Sequence, residues 1–158
     1  MAKNFEDIRK KLLGERYDVD GYYGAQCWDG YAQYMKELGY SYANCTKSGY
    51  VKDIYTERKT NGMLKSCDEV SIMQAGDIAV FRETPEWTPY SHIAIFVRDV
   101  DGEYGIFLGQ EEQTEDSMKS NSHIMLHMIR RSVRSVSKAQ NRQIITLMHQ
   151  RTKSRISD

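Results

Sequence analysis

The 158-residue sequence is poor in proline, with two, and in cysteine, with three. Cys27, Cys45 and Cys67 form no C-x-x-C pair, so local zinc-type thiol spacing is absent. The odd cysteine count leaves at least one thiol outside any disulfide framework. No apolar run approaches the ~20 residues of a membrane-spanning helix, so no membrane partner is expected. The opening stretch, MAKNFEDIRKKLLGE, is charged throughout and lacks the apolar centre of a secretory leader. The chain therefore reads as a product made in the cytoplasm, which would need release to work outside it. Net charge is zero, which removes the simplest signature of a nucleic-acid binder. A more local absence is sharper. The last 49 residues contain no Gly, Pro, Phe, Trp or Tyr, although the whole chain has 11 glycines.

The charge divides at nearly the same place. Residues 1–113 carry 13 Lys+Arg against 19 Asp+Glu, a net of −6, and residues 114–158 carry 9 against 3, a net of +6. We therefore read a domain over 1–113 and an atypical basic tail over 114–158, helical or poorly docked. Ile124, Leu126, Ile144 and Leu147 would form the packing side of one or two helices. A shifted reading frame or an unusual terminus would also account for the change.

Within 1–113 the patterns are clearer. Asn4 can cap a first helix with Asp7 at its third position, and Phe5, Ile8 and Leu12 share one face before Gly14. Residues 15–26 are rich in Asp, Gly and Tyr and read as a loop. A second helix starts near Cys27, with Tyr31, Tyr34, Met35 and Leu38 on one face and Gly39 as its stop. Residues 40–75 read as loops with one short helix. Strands follow at Asp77–Phe81, His92–Val97 and Tyr104–Leu108, the last two joined through Asp101-Gly102 as a hairpin. Helices first and an antiparallel sheet second give an α+β class.

One pair of residues carries candidate chemistry. Nucleophilic catalysis by cysteine needs a thiolate, an imidazole to take its proton, and a group that orients the imidazole. A helix start favours the anion through its unpaired N–H groups and dipole. Cys27 sits where such a start is expected, and His92 begins a strand far along the chain. Spacing alone leaves open a buried structural thiol and a strand-end histidine. Cys45 and Cys67 lack the helix-start context, and His123, His127 and His149 fall in the tail, so all five are expected to be dispensable.

The local strings add a family resemblance. Asp18-Val-Asp20-Gly-Tyr22-Tyr-Gly24-Ala-Gln26-Cys27-Trp-Asp29 closely resembles the nucleophile segment of CHAP domains, the cysteine- and histidine-dependent amidohydrolase/peptidase family common in phage endolysins. Ala75-Gly-Asp77-Ile-Ala-Val-Phe81 is similar to that family's strand before the histidine, and Ser91-His92-Ile-Ala-Ile-Phe-Val97 to its histidine strand. The resemblance runs from about Tyr17 to Leu108. It implies a papain-like α+β fold with N-terminal helices packed on an antiparallel sheet. It implies hydrolysis of an amide bond in bacterial peptidoglycan, as endopeptidase or as amidase, by Cys27 as nucleophile and His92 as base. Backbone N–H groups at the helix start, with Gln26, would hold the oxyanion.

The resemblance further implies a structural calcium site, with Asp18, Asp20 and Asp29 as carboxylates and Tyr22 and Gly24 through their carbonyls. Ca²⁺ takes 6–8 oxygen ligands, which a D-x-D-G turn can begin to supply, although such turns are also common with solvated carboxylates. The family's third catalytic group is an acid or amide after the hairpin. Here the string is Leu108-Gly109-Gln110-Glu111, so Gln110 or Glu111 is the candidate partner of His92. The competing readings are a papain-like peptidase of another family acting on protein, and a non-catalytic remnant that binds the wall or a partner. Oligomeric state is not legible.

Overall fold

A computed structural model of the chain describes residues 4–22, 24–70, 72–83, 90–102, 104–110, 123–130 and 144–150. Two helices come first, α1 (Phe5–Leu12) and α2 (Cys27–Leu38). The Asn4 side chain accepts from Asp7 N–H at 2.9 Å, and Ile8 and Leu12 are buried, as the capping and spacing predict. α2 ends at Gly39, whose φ of 82° lets the chain turn out of the helix; Tyr40 N–H then bonds the Met35 carbonyl at 2.9 Å. Two short helices follow, α3 (Lys52–Thr56) and α4 (Met63–Ser66).

The strands are β1 (Cys67–Val70), β2 (Ile78–Phe81), β3 (His92–Asp99), β4 (Tyr104–Gln110), β5 (Ile124–Arg130) and β6 (Ile144–Gln150). They form one sheet in the order β1-β6-β2-β3-β4-β5, with every neighbouring pair antiparallel. The expected α+β class holds. The Asp-Gly hairpin between β3 and β4 is also present: Gly102 has φ 81°, and Asp99 and Asp101 carboxylates accept from Gly102 and Tyr104 N–H, each at 2.8 Å.

Both faces of the central strands are apolar, which explains why their sequences read as continuous runs rather than as alternation. Ile78, Val80, Ile93, Ile95 and Leu108 pack under α1 and α2 with Tyr31, Tyr34 and Met35. The opposite face gathers Ala79, Phe81, Ala94, Phe96 and Phe107. Phe107 meets Phe81 and Phe96 edge-on, with ring centroids 5.2 and 5.4 Å away.

Where the tail was expected to be helical or poorly docked, its described residues 124–130 and 144–150 form strands. Residues 124–130 pair with β4 along its whole length, from Gln110↔Ile124 to Tyr104↔Arg130, and β6 lies between β1 and β2. The physical reason is alternation. Ile124 is buried against the helix-side core and Ile129 against the other face, so isoleucines of opposite parity serve opposite faces of a strand. Leu126, read as a packing residue of a helix, is 41% exposed. The boundary placed at residue 113 lies outside the described residues.

Candidate active site

Cys27 is the first residue of α2, and the loop before it is fixed by a buried acid. Asp29, 1% exposed, accepts from Val19 N–H at 2.7 Å and from Gln26 N–H at 2.9 Å. These bonds tie the helix start to the loop of residues 15–26 in the manner of a capping box. Cys27 is nearly buried, yet it lines a cavity of about 430 Å³ together with Gln26, Trp28, Tyr50 and Tyr90. Gln26, expected to help hold an oxyanion, therefore stands on the same cavity as the thiol. Cys45 also lines it, but burial, with Asp53 nearby, pushes its thiol up to about 12, which keeps it protonated. Cys67 is fully buried at the start of β1.

His92 opens β3 opposite Phe81, and the two rings lie 5.9 Å apart. Its Nε2 is enclosed and has no hydrogen-bond partner among the described residues. Burial first, and the nearby His127 second, push its pKa down to about 4. The imidazole is thus neutral near pH 7, the state a proton acceptor needs. A Cβ built on Gly109 would press on Ala94 Cβ at 3.2 Å and lie in ordinary contact with His92 Nε2 at 3.7 Å.

The helix and strands meet through Gln110. Its Nε2 donates to the carbonyls of Tyr17 at 2.8 Å and Gln26 at 2.9 Å, and its Oε1 accepts from Tyr17 N–H at 3.0 Å. Gln110 is fully buried, so its carboxamide is committed to the Cys27 segment. Gly30 of α2 comes close enough that a Cβ there would lie 3.2 Å from Gln110 Cβ. A chain of contacts therefore runs from His92 to Gly109, and through Gln110 to Gln26 beside Cys27. Of the two candidate partners for His92, Gln110 has its amide engaged elsewhere, and Glu111 lies outside the described residues.

The sequence places His127 only among the tail histidines expected to be dispensable. It sits on β5 opposite Phe107, and one ring nitrogen lies 3.2 Å from the Gly109 carbonyl. No periodicity in the tail signalled it.

Oxygen atoms of Asp18, Asp20 and Asp29 all lie within 4.8 Å of one another. Asp18 and Asp20 each accept a backbone N–H, from Gly21 at 3.0 Å and Tyr22 at 2.8 Å. No basic side chain among the described residues pairs with any of the three. Burial raises the pKa of Asp29 above the ordinary carboxylate value, and the charges of Asp20 and Asp18 add to it. Three carboxylates, one of them buried, with no cationic side chain among the described residues to offset them, suit a hard cation held by oxygen. Tyr22 and Gly24, the expected carbonyl donors, belong to the same loop.

A CHAP domain family model matches residues 16–111. The chain is 53% identical over 108 residues to the D-alanyl-L-alanine endopeptidase of Streptococcus phage B30, a match that covers 68% of this chain and 24% of that protein. The chain thus spans about a quarter of the length of this curated relative. Among solved structures, the wild-type endolysin LysIME-EF1 superposes with a TM-score of 0.59 at 16% identity, covering 94% of this chain and 64% of that one. That likeness is one of fold.

Proposed function

The chain belongs to the CHAP domain family, and we propose that it is an endolysin-like endopeptidase that hydrolyses a peptide bond of bacterial peptidoglycan. The observation that carries this reading is a thiol at a helix start that opens on a cavity, on a helix packed against the strand that begins with His92, whose Nε2 has no hydrogen-bond partner among the described residues. In the reaction the Cys27 sulfur, its proton taken by His92, attacks the peptide carbonyl carbon. The resulting oxyanion is met by backbone N–H groups of the first turn of α2 and by Gln26. Collapse breaks the C–N bond, and His92 returns the proton to the leaving amine. Water, activated by His92, then hydrolyses the thioester and frees the thiol. The relative's activity on a D-alanyl–L-alanine bond favours a peptide bond over the sugar–peptide amide. The site of action would be the cell wall.

Asp18, Asp20 and Asp29 would hold a structural Ca²⁺, with the carbonyls of Tyr22 and Gly24 adding to the set. The ion would offset the carboxylate charge and stiffen the loop that carries Cys27, and no bond-breaking step requires it. The deciding experiment is digestion of purified Gram-positive cell walls. New free amino groups without new reducing ends or free muramyl lactyl ends are expected, and Cys27→Ala should release none. Wall binding without release of amino groups by the unaltered chain would leave a non-catalytic binder instead.

A further inference from the structure

Two tyrosines on the Cys27 cavity have no role in the core. Tyr50 and Tyr90 are 42% and 55% exposed, yet their rings stack at 5.9 Å with 17° between planes. Both line the cavity with the thiol.

Their loops are tied down from both sides. Buried Asp53 accepts from the N–H groups of Lys47 at 2.9 Å and Ser48 at 2.6 Å, and from the Ser48 hydroxyl at 2.7 Å. The Ser48 oxygen in turn accepts from Tyr50 N–H at 3.2 Å. Next to Tyr90, Ser91 sits at φ 62°, a region that a residue with a side chain rarely occupies. Its hydroxyl accepts from Lys52 N–H at 3.2 Å, and Lys52 pairs with Glu83 at 2.8 Å. Strain of this kind persists where the surroundings over-determine it, and it clusters at functional sites. Here it holds exposed aromatic surface against a reactive thiol.

We propose that the Tyr50–Tyr90 pair is the selecting wall of the cleft: it seats the peptide beside the scissile bond and admits only small side chains there. The proposal rests on the peptidase reading above. Stacking covers one face of each ring and leaves the outer faces, the ring edges and the phenol hydroxyls for a ligand. Edges pack against methyl groups, and a phenol O–H donates to a peptide carbonyl. The carboxamides of Gln26 and Asn44, on the same cavity, offer the donors and acceptors that a peptide backbone needs. Rings that stand on the thiol's cavity take up space beside the bond, which would favour a small side chain such as that of alanine there.

The experiment measures kcat/KM of the full chain on two synthetic peptides. Both carry a D-alanyl bond, followed in one by L-alanine and in the other by L-leucine. The unaltered chain should prefer alanine by roughly 100-fold. Tyr50→Ala and Tyr90→Ala should each reduce that ratio by roughly tenfold, raising KM for the alanine peptide while leaving kcat close to its original value. Tyr50→Phe and Tyr90→Phe keep the stacked rings and should keep the preference. If an alanine variant fails to fold, Tyr90→Leu replaces it, since it retains apolar bulk and loses the flat ring. Cleavage by the unaltered chain with an unchanged ratio in folded variants overturns the wall alone. Cleavage of neither peptide by the unaltered chain overturns the peptidase reading, and the wall with it.

Discussion

The places of Cys27 at a helix start and of His92 at a strand start were legible from the sequence. A nucleophilic cysteine belongs at a helix start, and Cys27 is the cysteine that precedes a helical pattern after a Gly-rich loop. Cys27→Ala should lower wall hydrolysis by roughly 10³-fold or more while leaving the fold intact, since one sulfur atom is removed; assays alongside a thermal melt would check both. His92 carries a pH signature. Its pKa lies near 4, below the ordinary 6.5, because burial and His127 disfavour the charged ring. As the proposed base, His92 would stay neutral down to about pH 4, and the acid limb that it contributes to kcat/KM should lie near there rather than at 6.5. Stability follows the same protons. Between about pH 6.5 and 4 the unfolded chain binds the proton that the folded chain refuses, so stability falls as pH drops through that window. His127→Ala should retain turnover and move the acid limb upward, though still below 6.5, because burial is the larger cause. An acid limb unmoved by His127→Ala would mean that the two rings do not sense each other. The influence of His127 was invisible in sequence, since it depends on a strand pairing that nothing in the tail's composition announces.

At the scale of elements, the helix start, the hairpin and the central strands were readable from caps, an Asp-Gly turn and apolar runs. The clamp by Gln110 was not. The family resemblance offered its amide, or Glu111, as the partner of His92, whereas its bonds to Tyr17 join residues 93 positions apart. Gln110→Ala would leave buried backbone groups of Tyr17 and Gln26 without partners, and should cost about 2–4 kcal/mol of stability in urea denaturation. Gly30→Ala tests the close approach from the other side. Alanine favours a helix by about 1 kcal/mol over glycine, but its Cβ would press on Gln110 Cβ at 3.2 Å. Because Gln110 is pinned by three hydrogen bonds, it cannot give way, and a net loss of about 1–2 kcal/mol is expected. The acidic loop should answer to calcium. Without the ion, Asp29's raised pKa means that the folded chain holds a proton which the unfolded chain gives up. Stability should then fall as pH rises from about 3.8 through that raised value. Calcium should reverse this trend and raise the melting temperature. Asp20→Asn, which keeps an oxygen for Tyr22 N–H, should abolish most of the gain. A melting curve indifferent to both EDTA and calcium would leave the three acids as a solvated turn.

The whole molecule is where sequence and structure part most. A tail without glycine, proline or aromatics gave no turn signals and no anchors, so nothing located its strands, and a helix was the default reading. The sheet instead uses it twice. β5 covers the edge of β4, and its first residue is bonded to the loop after α1 through Gly14 N–H to the Ile124 carbonyl and Ile124 N–H to the Glu15 carbonyl, each at 2.7 Å. β6 separates β1 from β2, so those two strands have no direct pairing. A chain cut after Gln110 loses the burial of Ile124 and Ile129, each worth about 1.5–3 kcal/mol. It also turns β4 into a bare edge open to aggregation and leaves β1 without a partner. The shortened chain should therefore be less stable by at least about 3 kcal/mol and melt lower by about 2–4 °C for each kcal/mol. The comparison is a thermal melt of the two chains at matched concentration, with light scattering to follow association. Equal melting temperatures would mean that the strands of the tail add nothing to the sheet, and that residues 4–110 hold the thiol, the imidazole and the acidic loop in place by themselves.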